Sequence, residues 1–108
     1  MTNEITQLQR KVREFSEKRN WTQFHSPKDL SIALLLEASE VLENFRFKQE
    51  CNKDAIAKEL ADVLNVLLRL SDVLSIDLLY WFDRKMQENE AKYPIEKFYG
   101  RNLKYSEV

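Results

Sequence analysis

The chain has 108 residues and a formal net charge of −1, and 44% of its residues are hydrophobic while 32% are charged. This length suffices for one domain with a core but not for two. A charge this close to zero excludes the strong positive field of a protein that binds nucleic-acid polymers. One Gly and two Pro are too few for the turns of an all-β chain. We therefore expect one all-α domain over residues 1–108.

No stretch of the sequence approaches the ~18 consecutive apolar residues that a membrane-spanning helix needs. The first residues also lack the basic start and the apolar run of a secretory signal. We expect a cytoplasmic protein that has no contact with a membrane.

The first predicted helix covers residues 4–19, where apolar residues recur at steps of three and four and polar residues lie between them. A connection over residues 20–29 follows, and it contains Trp21 and the only histidine of the chain, His25. Loops carry binding residues more often than they carry core. Either side chain could contact a ligand, but an aromatic ring that covers the core and a histidine on polar surface are ordinary alternatives.

Two long helices are predicted over residues 27–47 and 54–74, joined by a polar turn over residues 48–53. Ser26 and Pro27 are the residue types preferred at the N-cap and the first helical position, and Asn52 can cap the next helix. Both helices carry apolar stripes wide enough to pack against a neighbouring helix and against a second subunit.

A fourth helix is predicted over residues 77–92, started by Ser75 or Asp77. It ends at Tyr93, because the residue before Pro94 avoids helical geometry. The tail over residues 95–108 is expected to be extended. It combines basic with aromatic residues, as a phosphate clamp does, but a frayed terminus can have the same composition.

Two pairs of acids interrupt the apolar stripes of the second and third predicted helices. Glu37 and Glu40 form the first pair, and Glu59 and Asp62 form the second. Residues three apart share a helix face, and the flanking residues on these faces are Ala, Leu, Ile and Val. Carboxylates among apolar side chains lose hydration unless a partner compensates them. One divalent cation could compensate both pairs.

Mg²⁺ is the cation that this interpretation favours, because hard cations take oxygen ligands from a few carboxylates and from substrate phosphates. The alternative is that the acids lie on a solvated face and pair with Lys28, Arg46 or Lys58. Acids three apart are common on helices, so the residues alone leave both interpretations open. Asn65, three residues after Asp62, extends the same polar line and could reach a ligand or a metal-bound water.

Several motifs, in their order and spacing, resemble the all-α nucleoside triphosphate pyrophosphohydrolases of the MazG-like superfamily, and most closely its dCTP pyrophosphatase branch. The resemblance spans nearly the whole chain. No single motif is specific for this superfamily, but the order and spacing of the whole series are. The matching stretches are residues 19–30, 37–40, 45–47, 59–64, 77–78, 85–89, 92–94 and 104–105.

The resemblance implies a four-helix MazG-like bundle that hydrolyses the α–β bond of a nucleoside triphosphate, releasing a monophosphate and pyrophosphate. It implies Mg²⁺, with Mn²⁺ as an alternative, and assigns the metal ligands to the two acid pairs. Glu37 or Glu40 is the candidate catalytic base that takes a proton from the attacking water. The implied metal ligands are Glu37, Glu40, Glu59 and Asp62; the implied substrate contacts are Trp21, His25, Phe47, Asn65, Lys85, Asn89, Lys104 and Tyr105.

Two positions depart from the pattern of the dCTP-selective proteins. Val12 stands where they have a histidine, and Val66 stands where they have a tyrosine. A dCTP-like substrate is therefore one option among the nucleoside triphosphates. The resemblance further implies a homodimer or homotetramer and a role in cleansing the nucleotide pool. The competing interpretation is a non-catalytic helical module that senses nucleotides or binds proteins.

Overall fold

The structure, a computed structural model, describes residues 2–47 and 52–107. This described part is built from helices and contains no strand, so the all-α prediction is confirmed. None of its helices is long and apolar enough to cross a membrane. The helices are α1 (Glu4–Lys18), α2 (Pro27–Glu43), α3 (Lys53–Val73), α4 (Leu78–Lys92) and α5 (Ile95–Phe98), and single 3₁₀ turns lie at Thr22–Phe24 and Tyr105–Glu107.

The chain divides into two compact units, Met1–Ile76 and Asp77–Val108. In the first unit, α3 packs against both α1 and α2. Leu30 of α2 and Leu68 of α3 are buried there, and a buried hydrogen bond of 2.9 Å runs from the Gln9 side chain to Ser71 Oγ. α3 is therefore the element on which the first unit is assembled. The single domain expected from the sequence stays a prediction.

Each of the four long helices begins at a side-chain cap. The cap oxygen accepts a backbone N–H from the first turn that would otherwise have no partner. Pro27 takes the first helical position of α2, where its missing N–H leaves no bond unmade. Asp77, rather than Ser75, starts α4. The four caps are Asn3, Ser26, Asn52 and Asp77.

Left-handed turns end α1 and α3. Asn20 and Ser75 both have φ 55°, and their N–H groups donate to carbonyls of the preceding helical turn. The N–H groups of the next residues, Trp21 and Ile76, donate further back into the same helices. This pair of bonds is a Schellman motif. After α1, the motif fixes the direction in which the loop containing Trp21 leaves the helix.

α2 is shorter than predicted, because it ends at Glu43 rather than at residue 47. The backbone N–H groups of residues 44–46 donate to carbonyls three residues back, which tightens the turn. The Asn44 side chain donates to the Glu40 carbonyl at 3.0 Å. Phe47 then has φ 59°, a left-handed conformation that stops a helix. Of the predicted polar turn, residues 48–51 lie outside the described residues.

The tail of the second unit is more folded than the extended segment predicted from the sequence. α5 and a 3₁₀ turn lie within it. The Tyr93 ring meets the Phe98 ring at 5.0 Å and the Tyr105 ring at 6.3 Å, both edge-on. Aromatic pairs with this geometry attract each other beyond the effect of burial alone. The tail therefore folds back onto the end of α4.

The left-handed turn after α3 predicts that Ser75→Gly stabilises the protein. A side chain at positive φ is strained, and glycine removes that strain, so we expect the free energy of unfolding to rise by about 0.5–1 kcal/mol. Ser31→Gly is the matched control, because Ser31 lies within α2 and is exposed. There glycine should lower the free energy of unfolding by about 0.5 kcal/mol. Urea unfolding at one protein concentration measures both, and two changes of the same sign would contradict the account.

Candidate functional site

The packing of α2 on α3 brings three of the four predicted metal-binding acids together. One carboxylate oxygen from each of Glu37, Glu40 and Glu59 lies within 4.8 Å of the other two. Glu37 and Glu40 lie one turn apart on α2, and Glu59 comes from α3. Asp62, the fourth acid, is outside this trio and one turn further along α3. Carboxylate oxygens at this spacing can bind one cation together.

The acid cluster has two buried oxygens that accept no hydrogen bond from the described residues, one on Glu37 and one on Glu59. Removal from water raises the pKa of Glu37, and the charges of Glu40, Asp62 and Glu59 raise it further. The pKa of Glu59 is also raised, first because a hydrogen bond with Glu40 favours its protonated form, and then by burial and by the nearby charges. A hard cation would satisfy these oxygens and remove the repulsion.

The alternative interpretation placed these acids on a surface where basic side chains neutralise them. In residues 2–47 and 52–107, none of Lys28, Arg46 and Lys58 forms an ion pair with the four acids. Arg46 instead pairs with Glu43 at 3.4 Å. Within the described part of the chain, the carboxylate cluster therefore has no basic neutralising partner, which favours the metal interpretation over the surface-pair interpretation.

A cleft of about 120 Å³ lies in the same unit. Three of the predicted substrate-binding residues, Trp21, His25 and Asn65, line it together with Val66. The Trp21 ring meets the Phe15 ring edge-on at 5.7 Å, so one wall is aromatic. The other lining residues are Ser16, Leu30 and Arg69.

One helix links the acids to the cleft. On α3, Asp62 lies three residues after Glu59, and Asn65 and Val66 lie three and four residues after Asp62. Residues at such steps share a helix face. Asn65 and Val66 line the cleft, whereas Glu59 belongs to the acid cluster. The cleft therefore begins one to two helical turns from the carboxylates, along the same face.

A buried network of charged side chains beside the cleft was not predicted from the sequence. Arg69, 5% exposed, donates from Nε to His25 Nδ1 at 2.9 Å and from Nη1 to Asp72 Oδ2 at 2.9 Å. Asp72 Oδ1 also pairs with Arg13 at 3.2 Å. Burial, and then the charge of Arg69, lowers the pKa of His25. The available signal was Arg69 itself, a charge inside the apolar run that ends α3.

Phe47 is not brought into the cleft. Its side chain is 94% exposed, and the Arg46 guanidinium lies 5.0 Å from the centre of its ring. A larger groove of about 310 Å³ lies along the beginning of α1, but none of the predicted site residues lines it. The role of Phe47 in binding a nucleotide stays a prediction.

Four of the residues predicted to contact the substrate belong to the second unit. Lys85 and Asn89 lie on α4, and Lys85 Nζ pairs with Glu88 at 3.5 Å. Lys104 precedes the last 3₁₀ turn, and Tyr105 begins it. Their roles toward substrate stay predictions.

The chain is similar to known proteins in both sequence and fold. A sequence model of the MazG-like family matches residues 30–108. The dCTP pyrophosphatase 1 of Rattus norvegicus is 31% identical over 114 residues, which cover 96% of this chain and 67% of that protein. The protein of the same name from Homo sapiens has the same identity and coverage. The crystal structure of a pyrophosphatase from Archaeoglobus fulgidus is similar with a TM-score of 0.79 and 34% identity, over 87% of this chain and 95% of that one.

The raised pKa values predict that the cation-free protein loses stability as the pH rises. Glu37 and Glu59 hold their protons more tightly in the folded chain than in the unfolded chain. Their stabilising contribution is complete below the ordinary glutamate pKa and is lost as the pH rises through the raised values. We expect the melting temperature of the cation-free protein, relative to that of a Glu37→Gln/Glu59→Gln variant, to fall as the pH rises from the ordinary glutamate pKa through the raised pKa values.

The control for this measurement is Glu17→Gln/Glu90→Gln, which changes the same number of acids at exposed positions. Its melting temperature should stay at a constant offset from that of the wild type over the same pH range. An offset that is also constant for the Glu37→Gln/Glu59→Gln variant would contradict the proposed repulsion within the cluster.

Proposed function

The chain belongs to the MazG-like family, and on this premise we propose that it is a Mg²⁺-dependent nucleoside triphosphate pyrophosphohydrolase. It hydrolyses the α–β bond of a nucleoside triphosphate to give a monophosphate and pyrophosphate, and it removes surplus or non-standard nucleotides from the pool. One observation carries the proposal. Glu37, Glu40 and Glu59 converge from two helices, and two of their oxygens are buried and accept no hydrogen bond from any residue that the structure describes.

The donor set fits Mg²⁺, because it consists of carboxylate oxygens and offers no soft ligand. Glu37, Glu40 and Glu59 would hold the ion, with Asp62 one turn away as a fourth ligand or as a ligand to its water. When bound, the ion supplies neutralising charge to the substrate phosphates. Mn²⁺ takes the same class of ligands and is the alternative cation.

The proton acceptor for the attacking water is assigned to the α2 pair, Glu37 and Glu40. Neighbouring carboxylates make each other more basic, because repulsion favours the protonated form. In the cation-free chain the pKa of Glu37 is raised, first by burial and then by the charges of its neighbours.

We assign the cleft to the nucleobase. Trp21 and Phe15 offer aromatic surface, and stacking on such rings accepts any base because every base has a π-face. The polar side chains of Asn65 and His25 are available to read the edge of the base. A dCTP-like substrate is the first candidate, because the rat and human relatives are named dCTP pyrophosphatases. Val66 offers the base no hydrogen bond, so selectivity must come from the other lining residues.

A homodimer or homotetramer is also proposed. Leucines on α2 and α3 are exposed in the single chain, and Leu35, on α2, is 71% exposed. Large apolar side chains exposed on two helices that pack together are typical of protein–protein contacts. Sedimentation at decreasing protein concentration measures this assembly directly. The other leucines of these two helices that are more than half exposed are Leu36, Leu42 and Leu60.

The acid cluster predicts which variants lose activity. Glu40→Gln and Asp62→Asn should reduce pyrophosphate release to below about one hundredth of wild type, because loss of a metal ligand costs at least as much as loss of its supporting groups. Helical content should be unchanged. Glu43→Gln is the matched control, since Glu43 is on the same helix but pairs with Arg46 in solvent. The assay uses a panel of nucleoside triphosphates with Mg²⁺, and circular dichroism monitors the helices.

Two results of this assay would count against the proposal. If no nucleotide releases pyrophosphate but nucleotides still bind, the chain is a sensing module rather than an enzyme. If Glu40→Gln retains full activity, the acids do not form the metal centre.

Because Trp21 lines the cleft, its loss should weaken substrate binding rather than slow the chemical step. Trp21→Ala should raise KM about tenfold with little change in kcat, because stacking on a base contributes about 1–3 kcal/mol. Phe24→Ala is the control, since Phe24 lies in the same loop and does not line the cleft. Steady-state kinetics separate the two constants. A loss confined to kcat would show that Trp21 does not act on substrate binding.

A further inference from the structure

Arg69 is a buried charge that the proposed chemistry leaves unexplained. It lies on α3, borders the cleft and is 5% exposed. Each of its nitrogens has a partner: Nε donates to His25 Nδ1 at 2.9 Å, Nη1 to Asp72 Oδ2 at 2.9 Å, and Nη2 to Thr22 Oγ1 at 3.5 Å. A planar guanidinium held at three points has a single orientation. Two of the three partners, His25 and Thr22, belong to the loop that contains Trp21.

The chemistry of the Arg69–His25 bond fixes where the imidazole carries its proton. A guanidinium has donors and no acceptor, so His25 Nδ1 must accept and must therefore be unprotonated. The proton of the neutral ring is then on Nε2. Turning the ring over would place a carbon against the Arg69 Nε–H and leave a buried donor of a charged group without a partner, which is costly.

His25 is also neutral, and its second nitrogen is available. Burial, and then the charge of Arg69, lowers the pKa of His25, which keeps the ring uncharged near neutral pH. Within the part of the chain that the structure describes, Nε2 makes no hydrogen bond. His25 lines the cleft beside Trp21 and Asn65. The free Nε2–H is therefore the hydrogen-bonding group that this ring can offer to a ligand.

Asp72 keeps the guanidinium in place. Its Oδ2 accepts from Arg69, and its Oδ1 pairs with Arg13 of α1 at 3.2 Å. One carboxylate is thus shared by two arginines, which satisfies the buried charge of Arg69 and joins α1 to α3. The orientation of His25 consequently depends on packing between helices rather than on its own loop.

We propose that Arg69 is a positioning residue that holds His25 in the Nε2–H tautomer, so that His25 donates a hydrogen bond to an acceptor atom of the substrate's nucleobase. This inference rests on the proposed function for its ligand. A base is the part of a nucleotide that suits this cleft, because Phe15, Trp21 and Leu30 form aromatic and aliphatic walls that would desolvate a phosphate. The acceptor is a carbonyl oxygen or an unprotonated ring nitrogen.

Nuclear magnetic resonance of the wild-type protein tests the first half of the proposal. The chain has one histidine, so its ring nitrogens are assigned without ambiguity. We expect protonated Nε2, unprotonated Nδ1 and a scalar coupling across the hydrogen bond between Arg69 Nε and His25 Nδ1. The coupling should vanish in Arg69→Met. Absence of the coupling in the wild type, or a proton on Nδ1, would overturn the proposal whether or not any variant folds.

Two substitutions of His25 separate positioning from ligand contact. The amide of His25→Asn falls near Nδ1 and can still accept from Arg69, whereas the amide of His25→Gln reaches the position of Nε2 and can still donate into the cleft. We expect KM for His25→Asn to be at least about fivefold above that for His25→Gln, with similar kcat values, as loss of one hydrogen bond requires. Equal KM values, or the reverse order, would show that His25 only supports the loop.

A binding measurement distinguishes failure of this inference from failure of the proposed function. The α,β-methylene analogues of dCTP, dTTP, dATP and dGTP are added with Mg²⁺ to the labelled protein. Binding of an analogue should move the Nε2–H resonance, and binding without such a shift would overturn donation to the base. If none of the four binds, donation to a nucleobase falls together with the proposed function, and the coupling from Arg69 still decides whether Arg69 positions the ring.

Discussion

Repulsion among the carboxylates at the α2–α3 contact is the constraint on which the site depends. Oxygens of Glu37, Glu40 and Glu59 are held within 4.8 Å of one another, and two oxygens of this group are buried with no donor among residues 2–47 and 52–107. The helices cannot relax apart freely, because the side-chain caps fix where they start and α3 packs against both neighbours. The fold therefore holds together carboxylates whose repulsion lowers the stability of the protein until a cation binds. Such an arrangement is typical of a binding site rather than of a structural core.

The charged residues near the two ends of α3 have opposite surroundings. Near its beginning, Glu59 has no neutralising partner among residues 2–47 and 52–107. Near its end, Arg69 pairs with Asp72, and Asp72 also pairs with Arg13. The cleft lies between these two regions, with Asn65 on its wall. Under the proposed function, the acids would attract a cation together with the substrate phosphates. The bonds from Arg69 to His25 and Thr22 tie the loop that contains Trp21 to α3. Under the proposed function, the metal ligand Glu59 and the base-contacting residue Asn65 would share α3, and a rigid helix fixes the spacing between them.

Much of the architecture was predictable because local rules decide it. The cap residues Ser26 and Asn52 and the apolar periodicity located the helices to within a few residues. The early end of α2 was not predictable, since it depends on the left-handed backbone at Phe47. Acid spacing identified Glu37, Glu40 and Glu59, whose side chains the α2–α3 packing brings together. The partnership of Arg69 with His25 joins residues 44 positions apart, so it follows from tertiary packing and has no local signature.

The proposed cation site is tested most directly by adding small amounts of Mn²⁺ to isotope-labelled protein and recording which backbone signals its unpaired electrons broaden. Signals around Glu37, Glu40 and Glu59 should broaden first, and Glu40→Gln/Glu59→Gln should remove this selectivity. Broadening that begins equally at exposed acids such as Glu14, or that is unchanged in the variant, would contradict the assignment of the acid cluster as a cation site.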